Sequence, residues 1–413
     1  GGVTEVELVL EPVWDAAANG YLSGDHHFHL NYGGPYSLDP EDLLPMMAGE
    51  DLDVATPLLA NLHNRFGDQP LWGWEKAGGV PLIRFGQEVR SHFLGHVGLL
   101  DTETLFWPWI WGPGYQVYGR DDRPNAAPLG HARAEGGLGG YVHPTSLRDP
   151  FVAENHGSWP VLLAADGILG TMDWLEVACL WTDELGASEM WYRFLNLGVP
   201  ILLEGGTDVM NDYYRTMAVG TTRLYVDTDG AKSFDAYWRG FREGRSFVTT
   251  GPMLELDVEG TRHGDAMPGG RTVSFQLDLA SALPVDSVEV LVNGEVAWSS
   301  AGLAEPGARR WEGRVDLPDA GWVAARAHGG TPAWPATDQL VFAHTSPVWI
   351  ERVGSVDAGA ARRSATDLMP VLDAAEALLG QAYGETPTPR ILEHFRAARE
   401  KLERALAGDG AGS

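Results

Sequence analysis

Residues 24–34 read Gly24-Asp-His-His-Phe-His-Leu-Asn-Tyr-Gly-Gly34, and they place three of the chain's 13 histidines and an aspartate side by side. In an extended strand, side chains alternate between two faces. Asp25, His27 and His29 then share one face, and His26 and Phe28 share the other. Two imidazoles two residues apart on one strand can reach a single metal ion, and imidazole is the commonest metal ligand. The preceding Gly20-Tyr-Leu-Ser-Gly24 reads as a turn entering a short buried strand. A His-x-His pair is only moderately specific by itself, and the plainer alternative is a histidine-rich polar loop.

The bulk properties narrow the setting. A chain of 413 residues has room for two or three domains and a large core. Its 29 Lys and Arg against 57 Asp and Glu give a net charge of −28, which argues against nucleic acid or an anionic membrane as partner and reads as a soluble acidic surface. No apolar run approaches the roughly 18–20 residues of a membrane span. The best, over 194–203, is interrupted by Asn196 and Pro200. The lone Cys179, in Leu175-Glu-Val-Ala-Cys-Leu-Trp181, excludes a disulfide framework and reads as a buried small hydrophobe in preference to a nucleophile. The chain opens on Gly-Gly without Met or a signal-type apolar segment. The expectation is a soluble mature or trimmed chain, exported forms included, whose compartment is not readable.

Nine of the 13 histidines lie at or before His156, so the chemistry belongs to the first part of the chain. From about 20 to 251, short apolar runs (52–57, 80–84, 139–143, 199–203) alternate with helix-like stretches such as 40–48 and 233–243. Asp39-Pro40-Glu41-Asp42 supplies an N-cap, a Pro at N1 and first-turn acids. That alternation predicts parallel β/α units. After Gly251-Pro252 the pattern changes to short alternating strands over 253–258, 272–279, 287–292 and 321–326, which predicts a β-sandwich over 252–353. Val3-Thr-Glu-Val-Glu-Leu-Val-Leu10 alternates too, and residues 1–19 are expected to pair with that sandwich. In the tail, 354–413, Ile391, Phe395, Ala398, Leu402 and Leu406 form an apolar stripe started by Thr388-Pro389 and ended at Gly408, with 366–379 as a partner helix. A packing hairpin is the expected role.

Further chemistry-bearing residues close predicted strands. Gly86-Gln-Glu-Val-Arg-Ser-His-Phe-Leu-Gly-His96 carries Glu88, His92 and His96. Gly140-Tyr-Val-His-Pro144 ends in His143. Glu204-Gly-Gly-Thr-Asp-Val-Met210 carries Asp208, and Leu175-Glu-Val177 carries Glu176. Barrel enzymes put reactive residues at the C-terminal ends of strands. His27, His29, His96 and His143 with Glu88 and Asp208 make a mixed nitrogen/oxygen metal site. Singly, His143 reads equally well as a core histidine, Glu88 as a salt-bridge partner of Arg84 or Arg90, and Asp208 as a turn cap.

The ordered motifs GDHHFH, GQEV…LGHVGLL, GGYVHP, GGTD, GTTRLYV and GRSFVTTGP resemble the PHP (polymerase and histidinol phosphatase) superfamily, and more closely its CehA/McbA-type branch, which includes carbaryl hydrolases. The similarity covers roughly 20–252 and continues through Ala343-His-Thr-Ser-Pro347. It implies an α/β fold: a distorted (β/α)7 PHP-type barrel over 20–251 with metals at its C-terminal mouth. The ligands carried over are His27, His29, Glu88 as a bridge, His96, His143 and Asp208. Two histidines typical of such proteins are missing: residues 56–63 read Thr-Pro-Leu-Leu-Ala-Asn-Leu-His, and Met210 follows the late aspartate. That departure leaves two divalent ions in place of three, zinc first, with manganese or iron as the other candidates.

The expected activity is hydrolysis of an ester, carbamate or amide of a small aryl or apolar substrate by metal-activated water. Asp208 or Asp25 would orient the water or take its proton, and Arg90 and His92 would stabilise the oxyanion. Tyr32, Asn61, Glu176 and Tyr213 would shape the pocket. Trp72, Trp74, Trp107, Trp109 and Trp111 would suit an apolar substrate, although core and loop packing is the stronger reading for them. A PHP-type phosphoesterase is the alternative. Phosphate wants converging cations, and Arg90, Arg193, Arg215 and Arg223 are scattered in sequence. A non-catalytic, metal-stabilised binding module is the alternative from another class, disfavoured by the full set of six ligands.

Overall fold

In the computed structural model, residues 7, 12–60, 67–109, 111–113, 122–213, 217–333 and 340–408 are described. The strand expected over 3–10 lies outside them apart from Glu7, as do Asn61, His63 and Arg215.

The His-rich stretch is a strand, β1 (Tyr21–His29), buried along its whole length. A 3-10 turn at Pro40–Asp42 and α1 (Leu43–Glu50) lead to β2 (Val54–Ala60), parallel to β1. A short β3 (Glu75–Lys76) pairs with β4 (Leu82–Arg84). β4 lines the start of β2, and β5 (Gly86–Val89) lines its end. β6 (Val97–Leu100) is antiparallel to β5 and to β7 (Leu138–Tyr141). α2 (Ala126–Ala134), α3 (Leu163–Leu169) and α4 (Glu184–Asn196) precede β7, β8 (Trp174–Ala178) and β9 (Leu202–Gly205), which are parallel neighbours. After Gly206-Thr207-Asp208, β10 (Val209–Met210) pairs in parallel with β1. The ladder that leaves β1 through β2 runs on to β9 with one reversed member, β6, and the chain then returns to β1 through β10. The C-terminal ends of β1, β5, β7, β8 and β9 and the start of β6 share one rim.

A second ladder leaves β1 on its other side. β11 (Arg223–Asp227) is antiparallel to β1, and β12 (Ser246–Thr249) to β11, with α5 (Phe234–Arg242) between them. Beyond Gly251 come β13 (Met253–Val258), β14 (Thr261–Arg262), β15 (Ala266–Met267), β16 (Thr272–Ser281), β17 (Val285–Val292), β18 (Glu295–Leu303), β19 (Gly307–Asp316), β20 (Gly321–His328), β21 (Phe342–Thr345) and β22 (Val348–Ile350). β14-β13-β16-β19 form one sheet. β18-β17-β20-β21 form the other, with β22 also on β20. Leu254, Leu256, Phe275 and Leu277 of the first sheet share an apolar core with Val288, Val290, Val323 and Ala325 of the second. The change of pattern at 251–252 does not interrupt the backbone pairing, because β12 bonds to β21 and joins the two regions in one sheet.

The tail is a hairpin of α6 (Ala358–Tyr383) and α7 (Pro389–Ala407). The α6 helix starts earlier than the pattern suggests, because Asp357 caps it by accepting from the Ala360 N–H. Ile391, Phe395, Ala398 and Leu402 are buried, and with Leu368, Val371 and Leu372 they enter the same core as β8 and β9. His394 Nε2 lies 2.7 Å from Asp166 Oδ1 of α3, and Arg193 of α4 reaches Asp367 at 3.0 Å. Among the described residues no helix is long and apolar enough to cross a membrane.

One buried acid in this scaffold gives a pH dependence. Glu184, the first residue of α4, is raised to about 8, by burial chiefly and by the adjacent Asp183 charge. The unfolded chain loses that proton near the ordinary glutamate value of about 4.3. The folded state then binds the extra proton, so stability declines as pH rises from about 4.3 through 8. Glu184→Gln should remove that decline, on the order of a few kcal/mol. Urea midpoints measured across this range should be flatter for the variant; an unchanged slope would show that Glu184 ionises normally.

Candidate metal centre

This topology gathers six residues at one rim, led by the two histidines of β1. His27 Nδ1 donates to Glu176 Oε1 at 2.7 Å, and His29 Nδ1 donates to the Leu58 carbonyl at 2.9 Å. These outer partners leave Nε2 of both rings facing inward. His27 Nε2 faces Asp208 Oδ1 at 3.2 Å. His29 Nε2 faces Asp208 Oδ1 and Glu88 Oε2, each at 3.3 Å. Glu88, on β5, turns its other oxygen to His96 Nδ1 at 2.8 Å and His143 Nε2 at 3.7 Å. Asp208 Oδ2 lies 3.9 Å from His143 Nε2.

The backbone is shaped to bring them there. His143 and Asp208, each just past a strand end, have φ of 31° and 48°, a region non-glycine residues rarely occupy. Such outliers cluster at functional sites. Gly206 lets the loop after β9 lie flat on β1, since a Cβ there would stand 2.6 Å from the His27 Cβ. The Asp208 N–H then donates to the His27 carbonyl.

The electrostatics favour a cation. Burial alone would lower His27 and His29, but Asp208 and Glu176 hold His27 well above its ordinary value. Asp208 and Glu88 likewise raise His29 to about 9. Burial would raise Glu88 and Asp208; the imidazoles, His96 foremost for Glu88 and His27 for Asp208, hold both well below the usual carboxylate range. His27 Nε2 and Glu88 Oε2 are buried and make no hydrogen bond. Inward lone pairs facing carboxylate oxygens at 3.2–3.3 Å repel unless a proton or a metal ion lies between them. His27, Glu88 and His143 each offer a ligand atom, all within 4.8 Å of one another. The donor set of imidazole and carboxylate suits zinc, manganese or iron.

Other expected site residues fall in different places. Arg90 lies beside Glu88 (Nε to Oε1 3.6 Å) and over the Tyr32 ring at 5.2 Å, and Tyr32 lies tilted against the His29 ring at 4.7 Å. His92 Nδ1 lies 3.1 Å from His96 Nε2, and burial and then Arg90 push its imidazole down. Tyr213 is exposed, 6.5 Å from Tyr32 between ring centres. One carboxylate needs correction. Asp25 does not face the cluster: it accepts from the Thr207 N–H and hydroxyl, the Gly220 N–H and the His27 N–H. Glu176 is fully buried and accepts from His27 Nδ1 and from the His143 N–H. Arg193 and Arg223 are engaged elsewhere, with Asp367 and Glu189 and with the Glu50 and Gly220 carbonyls. Trp109 and Trp111 are core, while Trp107 is 62% exposed and so does not pack there.

Sequence reasoning missed two features. Cys179 lies beside His27 and Asp208. His26, on the opposite face of β1, bonds through Nε2 to the Tyr237 hydroxyl at 2.8 Å and lies 3.3 Å from the buried Glu204. A Cβ on Gly24 would stand 1.8 Å from that hydroxyl, so the glycine admits it. The GDHH order held that signal.

No protein-family model matches the chain, and no curated protein matches it. Two solved structures are similar in part. One is a two-domain protein from Bacteroides vulgatus containing a predicted PHP-like metal-dependent phosphoesterase, at 12% identity and a TM-score of 0.39, spanning 84% of this chain and 100% of that one. The other is PsfC from Pseudomonas syringae, at 14% identity and a TM-score of 0.31, spanning 52% of this chain and 84% of that one. Likeness this loose assigns neither family nor activity.

Proposed function

We propose that the chain is a metal-dependent hydrolase of the PHP type, in which His27, His29, Glu88, His96, His143 and Asp208 hold two divalent ions. The observation that carries this is the pair of outer-anchored imidazoles on β1 whose inward nitrogens meet carboxylate oxygens of Asp208 and Glu88 at 3.2–3.3 Å. The ordered motifs of the sequence support the PHP reading and, within it, the CehA/McbA branch. Ions held there would acidify water and polarise the substrate oxygen. Glu88 splits its two oxygens between His29 on one side and His96 and His143 on the other, the disposition a bridging carboxylate needs. Arg90, beside Glu88, is positioned to hold an oxyanion. His92, whose Nδ1 can accept from the His96 Nε2–H, would orient that ligand at the rim.

The substrate we favour is a neutral carbonyl compound, an aryl ester, carbamate or amide. Of the described arginines weighed for phosphate, only Arg90 stands at the cluster, which leaves a phosphomonoester dianion poorly compensated. Arg90 is also what favours the second reading, a phosphoesterase.

Protein loaded with zinc, manganese or iron should retain two ions per chain. Matched nitrophenyl substrates should give a higher kcat/KM for the ester or carbamate than for the phosphomonoester. A faster phosphomonoester would install the second reading. Metal retention with no turnover of any bond type would leave a binding module.

A further inference from the structure

We propose that Cys179 is a ligand of one ion in this centre, completing a nitrogen, sulfur and oxygen set with His27 and Asp208. The inference rests on the metal reading above and adds a residue to it. Cys179 is the first residue past β8, at the same rim as His27, His143 and Asp208. Its backbone is fixed on both sides: Gly206 N–H donates to the Ala178 carbonyl and Thr182 N–H to the Cys179 carbonyl, at 3.1 and 3.0 Å. The side chain is fully buried. One ligand atom each from His27, Cys179 and Asp208 lie within 4.8 Å of one another.

The independent sign of a ligand is His27 Nε2. It is buried and makes no hydrogen bond, and its ring cannot turn away because Nδ1 is held by Glu176. The thiol therefore lies beside an inward imidazole nitrogen and a carboxylate oxygen that face each other at 3.2 Å, the donor set a metal ion would share. His27 has one inward nitrogen and serves one ion, on the side of His29 and Glu88 Oε2; His96 and His143, on the side of Glu88 Oε1, remain for the other. The two positions then differ in softness. Coordination by the thiol breaks its S–H bond, forms a metal–sulfur bond and releases one proton to solvent. A soft sulfur donor favours zinc or cobalt over manganese at that position, while the all-nitrogen-and-oxygen position accepts any of them.

The chain has a single cysteine, so any metal–sulfur signal is assigned without ambiguity. Full-length protein stripped with chelator should be titrated with Co2+ and followed by absorption. The wild type should develop a sulfur-to-cobalt charge-transfer band that saturates with one equivalent. Cys179→Ala and Cys179→Ser should lack it and should bind zinc more weakly, by at least the about 10–100-fold that outer-shell partners are worth. Their circular dichroism without metal should match the wild type. Cobalt bound by the wild type with no such band would overturn the role of Cys179 and leave the metal centre standing. Failure of the wild type to bind cobalt or zinc at all would overturn both. The wild-type spectrum decides the matter even if neither variant folds.

Discussion

Glu88→Ala should leave a chain that retains neither ion and hydrolyses nothing, and His27→Ala should do the same for at least one ion. Glu88 addresses both halves of the cluster more closely than Asp208 does: Oε2 toward His29 at 3.3 Å, and Oε1 toward His96 at 2.8 Å and His143 at 3.7 Å. Alanine there removes a ligand to each ion and also the charge that compensates them. The imidazoles that remain would be brought together by Asp208 alone, through contacts of 3.2–3.9 Å. Removing a single oxyanion-hole donor already costs an enzyme about 10²–10³ in rate, so loss of the activating ions should exceed that. The reading is metal per chain by mass spectrometry after gel filtration, with kcat/KM on the best substrate alongside. Full occupancy in both variants would contradict the assignment of His27 and Glu88 as ligands. Retained occupancy in His27→Ala alone would move His27 out of the ligand set and, with it, the environment inferred for Cys179.

What made these six residues legible is that each ends or interrupts a short apolar run, and the ends of neighbouring strands converge at one rim. Residues as far apart as His27 and Asp208 meet because β10 returns to β1. The same logic could not sort carboxylates by role. Asp25, Glu176, Glu88 and Asp208 look alike in sequence, and only the donors facing them tell a ligand from a brace. Cys179 was read as a hydrophobe, and buried it is, but its apolar neighbours on β8 hide that its sulfur lies against His27. β18 and β19 left little trace because most of their side chains are exposed or half-exposed, which erases the alternation that marks a half-buried strand. The pairing of β12 with β21 spans nearly a hundred residues and has no local signature, so the continuous sheet through residue 251 was not visible. The hydrophobic stripe of α7, by contrast, needed only its own period.

Asp25→Ala should unfold the rim without touching the chemistry directly. Its carboxylate ties three segments together: the His27 N–H of β1, the N–H and hydroxyl of Thr207 beside Asp208, and the N–H of Gly220. Burial raises the Asp25 carboxyl to about 6 against the pull of these donors. Alanine would strand four donors in a sealed interior, and removing one side of a buried charged network costs about 3–5 kcal/mol. Asn offers one acceptor oxygen but turns an NH2 toward groups that also donate, so Asp25→Asn should be destabilised less than Ala and more than a surface change. Thr207 can rotate its hydroxyl to accept from that NH2, whereas the Gly220 N–H cannot. Because the Thr207–Asp208 loop moves with Asp25, metal affinity should fall in step with stability. A general base would behave in the opposite way: Asn would leave the denaturation midpoint unchanged while abolishing turnover and removing one limb of the pH–rate profile. Chemical denaturation and pH–rate profiles of metal-saturated wild type and Asp25→Asn therefore separate the two roles. A positioning residue gives a lower midpoint and a profile of unchanged shape, since the groups that titrate at the ions are still present.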